Sequence, residues 1–122
     1  MNYRRRMRSH PEQLKMETDL KEKIDRIFRE ADQWSALNPL ADLRPNIQAL
    51  FRAWYPTNMQ CVVKFYDTCK ELKYLGRRQN YSSQMIIHKM RWDSAIESHF
   101  DKYKINQNLG SALGRVVMVM DL

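Results

Sequence analysis

The chain is poor in the residues that break or staple a backbone: three glycines, four prolines and two cysteines in 122 residues. So few turn formers argue against a loop-rich or all-β protein. The longest unbroken apolar run, residues 116–120, is far shorter than the roughly 20 residues a bilayer span needs. The arginines near the start lead into "SHPEQLKMETDLKEK" and not into an apolar stretch, so no secretory leader is read there. These absences predict a soluble, cytoplasmic protein with no membrane partner. Cys61 and Cys69 would stand about 12 Å apart along a helix, whereas a disulfide needs Cα atoms within roughly 7 Å. They are expected to be two small buried hydrophobes with no redox role.

Catalytic signatures are missing as well. His10, His88 and His99 are scattered, and no cysteine or carboxylate falls at metal-ligand spacing from them. No glycine-rich phosphate loop and no nucleophile–base pair can be picked out. The chain is therefore read as a non-enzyme, with no catalytic residues, no metal and no cofactor.

What is present is hydrophobic content of 43%, charged content of 29% and a net charge of +7, the composition of one globular domain. The positive excess is local. Arg4, Arg5, Arg6 and Arg8 crowd the first ten residues, and Lys70, Lys73, Arg77, Arg78, Lys89 and Arg91 face only Glu71 between positions 70 and 92. Residues 11–56 are balanced by comparison. Two clusters of one sign are the footprint of a phosphate-binding surface, against which stands plain solubility.

Residues 1–10 lack periodicity and are expected to form a mobile basic arm, with residues 11–122 a single helical domain. From Pro11 to about Ala36, Leu14, Leu20, Ile24, Ile27, Phe28, Ala31 and Trp34 recur at three- and four-residue steps, the pattern of an amphipathic helix. Glu17–Lys21 and Glu22–Arg26 lie at i, i+4 on its solvated face. After the connector "SALNPLADLRP", Pro45 suits the first turn of a short helix carrying Ile47, Leu50, Phe51 and Trp54 and stopped by Pro56. Thr57 or Asn58 can cap a third helix that buries Val62, Phe65, Tyr66, Cys69 and Leu72 and ends at Gly76. Ser82 or Ser83 can cap a fourth, running to about His99. In the last segment Leu109, Leu113, Val116, Val117 and Met120 keep helical spacing, although "VVMVM" alone fits a strand equally well. Gly110 and Gly114 fall in that helix, where close packing explains them. The expected fold is all-α: a compact single-domain bundle of about five helices with a basic N-terminal arm.

The fourth helix has two apolar faces, Ile86, Ile87 and Met90 on one side and Met85, Trp92 and Ile96 on the other. Such a helix is either sandwiched between neighbours or docked to a partner on its outer side. A polar stripe, Gln84, His88, Arg91 and Ala95, runs between them. Gln pairs bidentately with adenine and Arg with guanine, so the third and fourth helices could form a helix-turn-helix-like pair that reads DNA. "GRRQNY" between them is longer than the turn of the compact motif. Arg77 and Arg78 would then contact phosphates, and the arm would follow the backbone or minor groove. Trp92 itself is better read as a core or interhelix anchor than as a platform for bases, while Arg91 could as easily pair with a nearby carboxylate.

The runs "LFRAWYP", "KFYDTCKELKYLG", "YSSQMIIHKMRW" and "YKINQN", followed by Arg115, resemble a family of small proteins encoded by bacteriophages and prophages. The likeness covers roughly residues 50 to 118. This chain has Tyr55 where the family has Asn before the proline, Gln107 where it has a second consecutive Asn, and Leu113-Gly114 where it has an aromatic-Ala pair. The resemblance implies a phage setting in a bacterial cytoplasm and carries no assigned biochemical activity.

Taken together, the residues point first to a non-catalytic nucleic-acid-binding protein, DNA ahead of RNA, using Arg4, Arg5, Arg6, Arg8, Lys73, Arg77, Arg78, Gln84, His88, Lys89 and Arg91. The alternative is a phage-encoded interaction protein that binds and inhibits or redirects a host or defence protein through Met85, Trp92 and Ile96. Self-association into a homodimer through the apolar C-terminus is a third reading.

Overall fold

A computed structural model describes residues 8–75, 82–98 and 107–120, with the backbone alone for 73–75, 93–98 and 107. Five α-helices follow one another: α1 (His10–Gln33), α2 (Pro45–Trp54), α3 (Met59–Leu75), α4 (Ser83–Ser98) and α5 (Gln107–Met120). No strand occurs among the described residues, so "VVMVM" is helical. Short 3-10 turns cover Ser35–Leu37 and Tyr55–Thr57.

α1 begins one residue earlier than the periodicity suggests because Ser9 and Glu12 form a capping box. Ser9 Oγ accepts from the Glu12 backbone N–H at 3.3 Å and donates to Glu12 Oε1 at 3.0 Å. Trp34, expected in the core stripe, follows the last turn instead and is 68% exposed; Leu14 and Leu50 are exposed too. The i, i+4 pairs that form on α1 are Gln13–Glu17 and Lys21–Asp25, one step away from those expected. Leu40 is fully buried although it stands in the irregular connector. The connector is braced around it: Asn38 Oδ1 accepts from the Leu40 N–H, Asn38 Nδ2 donates to Gln48 Oε1, and Gln48 Nε2 donates to the Leu43 carbonyl.

α3 is the central helix, against which α1, α4 and α5 all pack, while α2 packs on α5. It buries Val62, Val63, Lys64, Phe65, Tyr66 and Thr68 in near-continuous sequence, which only a helix covered on several sides can do. Cys61 and Cys69 are free and half-buried, not fully enclosed; burial raises both thiols, that of Cys69 up to about 12. Asn58 does not cap α3 with its side chain, which reaches back to donate to the Trp54 carbonyl at 2.8 Å. Ser82 does cap α4, accepting from the Met85 N–H at 3.1 Å.

One end of the core is aromatic. Phe28 of α1, Phe51 of α2 and Tyr55 lie with ring centroids 5.6–6.1 Å apart, within the range of favourable ring pairs. Arg52 covers the Phe28 ring at 4.8 Å and forks onto Asp32 at 2.7 and 2.8 Å, tying α2 to the end of α1. Tyr55 donates to Asp25 Oδ1 at 2.5 Å, and Lys21 donates to Asp25 Oδ2 at 2.9 Å. Burial raises the Asp25 carboxyl, but the hydrogen bonds from Tyr55 and Lys21 and the charges of Lys21 and Arg29 outweigh it and hold the group below its ordinary 3.8.

α5 runs antiparallel to α4, with Gly110 over Ile87 and Gln84 and Gly114 over Ser83. A Cβ on Gly110 would stand 2.5 Å from Ile87 Cδ1, so the absence of a side chain lets the two helices close. At the other edge Arg115 Nε and Nη2 donate to the two carboxylate oxygens of Asp42 at 2.8 and 2.7 Å.

Three outcomes follow for stability, measured by chemical denaturation. Phe51→Ala should cost about 3–5 kcal/mol through the lost ring and its cavity. Gly110→Val should cost about 1–3 kcal/mol by forcing α5 off α4. The Asp25 contribution is fully present above the unfolded value of 3.8 and fades as pH falls through the lower folded value. Tyr55→Phe should therefore destabilise the protein more at neutral pH than in strong acid.

Candidate interaction surface on α3 and α4

Three charged side chains of α3, Lys64, Asp67 and Glu71, follow one line at i, i+3 and i+7. Thr68, beside them, is tied to the helix through its hydroxyl, which donates to the Lys64 carbonyl at 2.7 Å. Asp67 and Glu71 are one turn apart on the same face. Their side chains are only 11% and 16% exposed, so packing has drawn two carboxylates into the seam between helices. Neighbouring segments supply the counter-charges. Arg8 forks onto Asp67, its Nη2 donating to Oδ1 at 2.8 Å and its Nη1 to Oδ2. Lys89 of α4 reaches Glu71 with an N···O separation of 3.5 Å.

Arg8 was expected in a mobile arm. It is held, because an almost buried carboxylate 59 residues away needs a bidentate partner. The consequence is that one residue of each basic segment, Arg8 and Lys89, meets an acid of α3. In both pairs the acid lies deeper than its cation, each cation being 28% exposed. Arg8 and Lys89 are matched one to one by the two acids of this face, and Lys64 is buried. Lys70, whose ammonium stands 4.6 Å from the Tyr66 ring centroid, and Arg91 add exposed positive charge.

The outer face of α4 differs from the expected reading stripe. Ile86, Ile87 and Met90 are buried as foreseen. Gln84 is half-buried, with Nε2 3.8 Å from where a Cβ of Gly110 would stand, so it lies in the seam with α5. Lys89 turns toward α3. His88 and Arg91 are exposed, and beside them stand Met85 at 48% and Trp92 at 68% exposure. Trp92 is thus neither a core residue nor an interhelix anchor, since α4 presents it away from the buried Ile87–Met90 side. The Gln84–His88–Arg91 stripe does not survive as a single outward row.

Several expected site residues lie outside the described residues: Arg4, Arg5, Arg6, Arg77 and Arg78, and the side chains of Lys73 and Ile96. α3 and α4 do pack as a consecutive pair, while the connector that would define a helix-turn-helix, residues 76–81, also falls outside. Among the described residues no group of three or more His, Cys, Asp or Glu side chains could hold a metal ion, and no helix is long and apolar enough to cross a membrane. Comparison with family models, curated proteins and solved structures gives no match for this chain.

The Arg8–Asp67 pair should behave as a structural contact and not as a surface ornament. Asp67→Ala is expected to cost about 1–3 kcal/mol, the range for hydrogen bonds to charged groups. A double-mutant cycle with Arg8→Ala should return a coupling larger than that of the more exposed Arg52–Asp32 pair.

Proposed function

We propose that the protein is a non-catalytic nucleic-acid-binding protein, a small regulator of phage or prophage origin acting in the bacterial cytoplasm. The observation that supports the proposal is that Arg8 and Lys89, from the two basic segments, both reach α3, on carboxylates four residues apart. Arg4, Arg5 and Arg6 precede Arg8 by no more than four residues in sequence, and Arg77 and Arg78 follow α3 directly. These neighbours in sequence support a reading in which positive charge from separate parts of the chain is gathered near the α3–α4 pair. The two acids in that region are covered by their cations. Such a surface attracts phosphates by releasing their condensed counterions, and its affinity falls steeply with salt.

Fluorescence-anisotropy titrations at two salt concentrations test it, with a mixed-sequence duplex, a single strand and a structured RNA as probes. Binding should weaken as salt rises. Replacing both Lys70 and Arg91 by alanine should flatten the slope of log affinity against log salt by about 2 if each meets one phosphate. Absence of binding to all three probes at low salt would remove the proposal.

The exposure of Met85 and Trp92 favours a second reading, in which α4 docks a host or defence protein. Under it, a stoichiometric partner survives nuclease treatment of a host lysate and is lost with Trp92→Asp.

A further inference from the structure

We infer, resting on the nucleic-acid-binding proposal above, that Asp67 and Glu71 are internal competitors for phosphate. They hold Arg8 and Lys89 in reserve, and a nucleic acid engages these cations only by exchanging carboxylate for phosphate. A guanidinium offers the same planar fork to either anion. In the free protein Asp67 already takes that fork, accepting from Arg8 Nη2 at 2.8 Å and from Nη1. Glu71 holds the Lys89 ammonium more loosely, with an N···O separation of 3.5 Å.

Two other ion pairs of the fold are built the opposite way round. In Arg52–Asp32 and Arg115–Asp42 the carboxylate is the outer member, 58% and 65% exposed against 44% and 34% for the arginines. A polyanion approaching either pair meets an anion first. On α3 the acids lie deeper, at 11% and 16%, under cations that are each 28% exposed. A phosphate arriving from solvent meets the cation first and competes for it with the acid behind. Asp67 and Glu71 are one helical turn apart, so the two exchanges take place side by side. The paired state therefore steadies the fold and restrains affinity together. Binding gives up internal contacts, and the carboxylates left behind repel the phosphates that replace them.

The test titrates the full chain by fluorescence anisotropy with a mixed-sequence duplex, a single strand and a structured RNA over a series of salt concentrations. Chemical denaturation of each variant runs in parallel. On the probes that the wild type binds, Asp67→Asn should bind about 3- to 10-fold more tightly at low salt. Its slope of log affinity against log salt should steepen by about 1, the mark of one added phosphate contact. Its stability should fall, so that affinity and stability move in opposite directions. Glu71→Gln should act in the same way through Lys89, and decides alone if Asp67→Asn fails to fold. Asp32→Asn, which unpairs Arg52 at the α1–α2 end, should leave affinity and slope unchanged. Arg8→Ala should weaken binding more in the Asp67→Asn background than in the wild type. Unchanged or weaker binding by Asp67→Asn would overturn the competition while sparing nucleic-acid binding. So would an equal gain from Asp32→Asn, or an equal cost of Arg8→Ala in both backgrounds, since either is an effect of net charge alone. Failure of all three probes to bind the wild type would overturn both.

Discussion

Two carboxylates drawn into a helix seam organise this molecule. A burial of the kind seen at Asp67 and Glu71 is tolerated only when each anion meets a cation in good geometry, because an uncompensated charge at such a position is expensive. Arg8, two residues before α1, supplies one partner and Lys89 of α4 the other. A requirement of folding, charge compensation on α3, thus brings Arg8 and Lys89 to the same helix. The surface chemistry is a by-product of how the core is closed.

The rest of the fold is arranged so that α4 is fixed on one side and bare on the other. Ile86, Ile87 and Met90 anchor it to the interior, and Lys89 stitches its flank to α3. Gln84 fills the opposite flank beside α5. Outward among the described residues stand Met85, His88, Arg91 and Trp92, a short row mixing sulfur, imidazole, guanidinium and indole. The aromatic cluster of Phe28, Phe51 and Tyr55 lies in the α1–α2 region and does not share residues with this face. The aromatic packing and the proposed recognition face therefore use separate groups of side chains.

Helix number, order and inner faces were legible from periodicity because most of the apolar residues repeat at helical spacing and the caps, Ser82 and Pro45 among them, stand where the repeats begin. Periodicity failed where burial depends on where a neighbour ends. Leu14, Trp34 and Leu50 keep the spacing of core residues but lie exposed. Leu40 shows no spacing at all, yet is enclosed by the bracing of Asn38 and Gln48. At the site, a helical wheel set Gln84 on a polar stripe between two apolar faces and did not place Lys89. It could not say that α5 covers the first and α3 recruits the second, so the outward row was misassigned. Arg8 was unreadable for a related reason: nothing near it in sequence announces a buried acid on α3. The glycine pair was the most telling local signal, since Gly110 and Gly114 within an apolar repeat implied close helix contact before any neighbour was known.

That pair has a consequence for how the outer row of α4 can vary. With no side chain at position 110, Ile87 lies directly over the α5 backbone, so the setting of the outer ridge of α4 depends on how closely α5 approaches it. Drift at a solvent-hidden glycine would rotate the whole ridge without altering one exposed atom type. Homologous chains could thus differ in what they grip through a residue that never touches it.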